Sequence, residues 1–304
     1  MKLRMSLRFL SGMALSALAL SSSIAPAAAP GDDDPIVVTG QRITRAEAHQ
    51  MARAYTRAVF APTEADQNAR WADPICVGAI GLRPEIATPL IDRIEATARE
   101  VGARVAEGEC SPNIMLAFLQ DSDATFAKLQ TNRPDLLQTT KNEERRKLAQ
   151  PGWPVRWFYG QVAEGLGGRG VGQNGPGLAG SPGALFDLPV LNDGSLSRIN
   201  SPAQISIKGV TVLVDVPRVA GVPFDALADY LAFGILSRTK LDADPQSASI
   251  MALFVAPEGN RPTGLSDFDR AMLKALYRIP INRSAAVHRN QIASEMIKDI
   301  AAAQ

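Results

Sequence analysis

Asp229, Tyr230 and Phe233 stand at positions i, i+1 and i+4 of an apolar run that reads as a helix over 223–236. A helix that holds a metal for hydrolysis uses this spacing. Side chains at i and i+4 share one face, two imidazoles there bind the ion, and a glutamate beside the first takes a proton from the metal-bound water. In this chain Asp229 can ligate, but Phe233 cannot. Tyr230 is a poor base at neutral pH, because a phenol titrates near about 10. Only two histidines occur, His49 and His288, both outside this helix and expected on helix surfaces. No metal, no cofactor and no catalytic residue is expected.

Other chemistries find less support. A G-x-S-x-G elbow is absent, and two histidines leave little material for a Ser-His pair. A Ser-Lys pair stays open. Two literal G-x-G-x-x-G matches, Gly165-Gly167-Gly170 and Gly170-Gly172-Gly175, precede Pro176, Gly177 and Gly180. No helix N-terminus follows to hold a phosphate, so the stretch reads as a flexible loop over 160–183. Asp242-Ala-Asp244 starts like a calcium loop, but Gln246 and Ser247 break it, leaving a turn. Glu143, Glu144, Arg145, Arg146 and Lys147 read as a solvated helix face.

These residues need elements to position them. Thr44 and Glu47 form a capping box that opens a helix to about Phe60. An apolar run at 75–81, helical spacing over 84–105 and a second apolar run at 113–119 predict one β-α-β unit. Helical pieces follow near 122–131 and 140–149, then an aromatic strand over 151–159. A strand over 205–216 has Gly209 as a candidate bulge. After the helix at 223–236 come a turn at 249–251, a helix over 266–277 capped by Ser266 and Asp269, and a last helix over 284–301. The order implies an α+β fold with a mixed sheet and a central helix in one domain over 43–304.

The closing segment carries a resemblance. Ser249-Ile250-Met251 followed by Leu265, Ser266, Asp269, Leu273, Leu276 and Tyr277 resembles the Met-turn and closing helix of the metzincin and matrixin zinc proteases. The five signature positions before it hold Asp229, Tyr230, Phe233, Leu236 and Thr239, so the zinc motif is missing. The resemblance implies a degenerate zincin-like domain, a pseudoenzyme with Met251 as an apolar floor and Asp229, Tyr230 and Phe233 at the former site. Two packed helices joined by a loop explain the same residues without it. The chain is also similar to exported alphaproteobacterial proteins.

Lys2, Arg4 and Arg8, the apolar run 9–20 and the small residues 25–29 read as a signal peptide cut after Ala27, which predicts a periplasmic or secreted protein. Export favours a Cys76–Cys110 disulfide. Residues 28–42 read as a disordered linker. Within it I-V-V-T-G-Q-R is similar to the segment around the TonB box of outer-membrane receptors, and an extended segment of this kind can add a strand to a partner. A formal charge of +1 carries no nucleic-acid signature, and no later run is long enough to span a membrane. The leading expectation is a non-catalytic binder of an extended peptide or protein. The rivals are an envelope-interaction protein working through 36–42 and a metal-free hydrolase.

Overall fold

A computed structural model describes residues 36–38, 41–61, 63, 67–165, 201, 203–245 and 249–302. The expected signal peptide and most of the glycine-rich loop lie outside these residues. So does much of the expected linker, but 36–38 and 41–42 are strand: β1 (Ile36–Val38) and β2 (Gln41–Ile43) form an antiparallel pair, with Ile36 opposite Ile43. The capping box forms at the start of α1 (Arg45–Val59), where Thr44 Oγ1 accepts from Glu47 N and the Glu47 carboxylate accepts from Thr44 N at 2.8 Å. Ala48, Ala52, Tyr55 and Val59 make its buried stripe.

After the two-residue β3 (Arg70–Trp71), the β-α-β unit runs through β4 (Val77–Ile80), α2 (Pro84–Val101) and β5 (Ile114–Leu119). The two strands pair in parallel, Val77 opposite Ile114. Gly102 ends α2 in the left-handed conformation, φ 90°, where a side chain would be strained. Cys76 and Cys110 are joined in a disulfide across 34 positions, tying the start of β4 to the loop before β5. Closing a loop of that length stabilises the fold by about 3–4 kcal/mol through the unfolded chain.

α3 (Ser122–Asn132), a 3-10 turn (Pro134–Leu137) and α4 (Asn142–Leu148) lead to the long strands β6 (Val155–Gly165) and β7 (Ala203–Asp215). The sequence places the end of β6 at Tyr159; the strand continues to Gly165 because β7 offers antiparallel partners over its whole length. The expected bulge lies beside Gly209: Gly160 faces Gly209 and Gln161 faces Ile207, leaving Lys208 as the extra residue. The other side of β7 is shared by β3 and β5, both parallel to it. The order across the sheet is therefore β4, β5, β7, β6, with the antiparallel β6 at an edge.

Short α5 (Val216–Val219) and the central α6 (Phe224–Leu236) follow, then a 3-10 turn (Ile250–Ala252), α7 (Asp267–Arg278) and α8 (Ala285–Ala302). Alternation along the strands sorts side chains onto both faces. Trp157, Tyr159, Val212 and Val214 join the main core with α1, α2, α6, α7 and α8. Phe158 and Leu213 join Phe126, Leu137 and Leu148 in a smaller core on the other face. Helices on both faces explain why these strands read as continuous apolar runs. The architecture is a mixed, mostly parallel sheet with several helices, compatible with the α+β expectation. Among the described residues no helix is long and apolar enough to cross a membrane.

Candidate functional site

The signature positions on α6 face inward. Asp229 is 2% exposed. Its carboxylate accepts from Arg93 Nε at 2.8 Å and Nη2 at 3.1 Å, and from Leu265 N at 2.9 Å. One bidentate guanidinium from α2 and one amide ahead of α7 thus use up the carboxylate. The approach is close enough that a Cβ at Gly264 would sit 2.9 Å from Asp229 Oδ2, which is why glycine stands there. Arg93 also reaches Asp225 at 3.1 Å.

Tyr230 and Phe233 are core residues. The Tyr230 ring lies 5.3 Å from Trp157 and 4.9 Å, edge-on, from Phe254, and burial raises its phenol further above its ordinary range. Leu236 is buried, and Thr239 lies beyond the helix with its amide donating to Tyr159 Oη at 3.2 Å. Met251 is buried in the 3-10 turn after α6. The structure therefore brings Asp229, Tyr230, Phe233 and Met251 into one interior rather than to the wall of a groove, and it surrounds Asp229 with donors from its own chain.

Asp269 organises the other half of the segment. It is completely buried. Its carboxylate accepts from Ser249 Oγ at 2.6 Å, from the amides of Ile250 and Ser266 at 2.8 Å each, from Ser266 Oγ at 2.8 Å and from the Tyr55 hydroxyl. The expected capping box of α7 is thus also the post on which the Met251 turn hangs. Burial and the Asp269 charge push the Tyr55 phenol well up, so it stays a donor.

Of the two histidines, His288 departs from its expected surface position. His49 is half-buried on α1, and burial with Arg45 and Arg53 lowers its pKa. His288 is fully buried on α8, where Nδ1 accepts from Asn68 N at 3.4 Å. Packing of α8 against α1 and α7, invisible in local sequence, puts it there. Burial, then Arg70 and Arg289, push its imidazole down to about 4 from 6.5. As pH falls below about 6.5 the unfolded chain takes up this proton first, so stability drops until about pH 4 and is constant above 6.5. Between pH 6.5 and 5 the loss is about 2 kcal/mol. Urea melts at both pH values measure it, and His288→Gln should remove that part of the slope; an unchanged slope refutes the assignment. Among the described residues no group of three His, Cys, Asp or Glu side chains is placed to hold a metal.

A cleft opens elsewhere, beside Trp157 and Tyr159 of β6. It has a volume of ≈ 480 Å³ and lies between α4, the end of α1 and the segment after α6. Trp157 and Tyr159 form its inner end, with Leu148, Leu241 and Ala58. The aromatic rings are fixed by hydrogen bonds: Trp157 Nε1 donates to Thr239 O at 3.0 Å, and the Tyr159 hydroxyl donates to Gly234 O at 2.7 Å. Charges ring the mouth. Lys147 reaches Asp242 at 2.8 Å and Glu143 at 3.6 Å, and buried Arg238 holds Glu144 at 2.7 Å. Each piece is legible in the sequence, but their meeting is not. The aromatic run read as a strand, 143–147 as a solvated helix face and Asp242-Ala-Asp244 as a turn, and no local spacing signals that the three meet.

Compared with known proteins, the chain matches no family model, no curated protein and no solved structure.

Proposed function

We propose that this is an exported, non-catalytic binding protein built on a degenerate zincin-like domain, which holds an extended peptide in the cleft beside β6. The cleft carries this reading: ≈ 480 Å³, lined by Trp157 and Tyr159 of the edge strand β6 and by charged side chains of α4 and of the segment after α6. The loss of metal chemistry is supported by Asp229, whose carboxylate is already held by Arg93 and Leu265, and by Phe233 in the core. The zincin-like ancestry is supported by the run of mixed sheet, central α6, a turn burying Met251 and a capped α7. Export is supported by the Cys76–Cys110 disulfide, since such bonds persist in oxidising compartments.

A peptide library screened by thermal shift against the mature chain tests the reading. Ala58 is half-buried and lines the cleft, so Ala58→Phe fills it without removing a contact. Binders should lose about tenfold or more in affinity in Ala58→Phe and keep it in Tyr230→Phe. If no peptide binds better than millimolar, or if Ala58→Phe binds like the parent, the cleft is not the site.

The envelope-interaction reading keeps one observation in its favour. The β1–β2 pair is a two-stranded sheet among the described residues, so a partner strand could extend it. Deleting residues 28–42 and finding localisation and partners unchanged would remove it.

A further inference from the structure

We propose that the cleft takes the guanidinium of an arginine side chain on the bound peptide, in the place now held by the Lys147 ammonium. This rests on the cleft reading above and goes on to name its ligand. The Lys147 ammonium spans the mouth from α4 to Asp242 at 2.8 Å, with Glu143 at 3.6 Å. It is an internal cation on a pair of carboxylates, and both ends of the bridge are open to water, Lys147 at 36% and Asp242 at 43% side-chain exposure. Ion pairs this exposed contribute little to stability, so exchanging one cation for another costs the fold little.

The other lysines of the cleft do not compete for Asp242. Lys141 Nζ donates to Thr63 O at 3.2 Å and Lys240 Nζ donates to Arg57 O at 2.6 Å, at the end of α1 where the helix dipole favours a cation. Asp244 also lines the cleft, is exposed, and has no ion pair among the described residues. Acceptors are thus in surplus over uncommitted donors at the mouth. A guanidinium suits that surplus better than an ammonium, because its planar fork bonds a carboxylate through two parallel N–H groups. Its three-carbon stem also brings apolar surface to the cleft, which a compact inorganic cation lacks. An acidic ligand side chain would instead meet Asp242, Asp244 and Glu143.

N-acetyl-argininamide and its neutral isostere N-acetyl-citrullinamide are the probes, titrated into the mature chain while the Trp157 indole resonance is followed by NMR. The argininamide should move that resonance and bind about fivefold or more tightly than the citrullinamide. Lys147→Met, which frees Asp242 and Glu143, should tighten argininamide binding about threefold or more, and Asp242→Asn should weaken it by a similar factor. Melting temperatures of both variants show whether the fold is intact. Equal binding of the two probes, or an Arg-to-citrulline ratio unmoved by Lys147→Met and Asp242→Asn, overturns the guanidinium assignment while leaving the cleft as a binding site. Argininamide binding that survives Ala58→Phe places the guanidinium elsewhere and overturns it too. No shift with either probe also overturns it, and the peptide screen then decides separately whether the cleft binds anything.

Discussion

Asp269→Ala should destabilise the protein by about 4 kcal/mol, the largest loss expected from a single side chain here. The carboxylate is completely buried and receives five hydrogen bonds from four residues of α1, the Met251 turn and the start of α7. Alanine leaves all of those donors in a dry site, and each buried donor without a partner costs about 1–3 kcal/mol, offset in part by any water that enters. Tyr55→Phe removes one donor and leaves the carboxylate otherwise satisfied, so it should cost only about 1–2 kcal/mol. Asp269→Asn should fall between, because its amide turns two donors toward donors. Guanidinium melts of the three variants give the ranking. An Asp269→Ala loss below about 1 kcal/mol would mean that Asp269 does not hold the turn to the helix.

The second large effect concerns Arg93 and Asp229. Arg93→Met should cost about 3 kcal/mol, because it strands a carboxylate whose side chain is 3% exposed. The figure sits at the low end for broken buried pairs because Arg93 itself is 35% exposed and water screens part of the interaction. Replacing both partners, Arg93→Met with Asp229→Leu, should recover most of the loss, since apolar replacements of a buried pair are often neutral. Stability measured over this double-mutant cycle checks the coupling. Additive losses would show that the pair is not a unit. Binding gives an independent readout: the double variant should keep peptide affinity, because neither side chain lines the cleft. Lost affinity in a folded double variant would place Arg93 and Asp229 in the functional site.

These two clusters tie together the elements packed around α6. In this chain Arg93 joins α2 to α6 through Asp229, Leu265 adds the segment before α7, and Asp269 joins α1 and α7 to the turn at Met251. Hydrogen bonds and ion pairs therefore hold the segments together, and α6 buries nearly its whole circumference. That burial accounts for the large apolar and aromatic side chains of Tyr230 and Phe233.

The sequence by itself determined what depends on neighbours along the chain. Two capping boxes, Thr44 with Glu47 and Ser266 with Asp269, announce α1 and α7, because capping is satisfied within one turn. The β4-α2-β5 unit, the long β7 with its irregularity at Gly209 and the α6 run were legible from apolar periodicity. The Cys76–Cys110 pairing followed from there being two cysteines. Only the tertiary structure decided the rest. The length of β6 depends on β7 across a distant connection, and the β1–β2 pair on a register no periodicity marks. The burial of His288 depends on helices packed from both ends of the chain. Arg93 lies 136 positions from Asp229, and Lys147 lies 95 from Asp242. Side-chain pairing at such separations leaves no spacing to read, because the fold alone sets those distances.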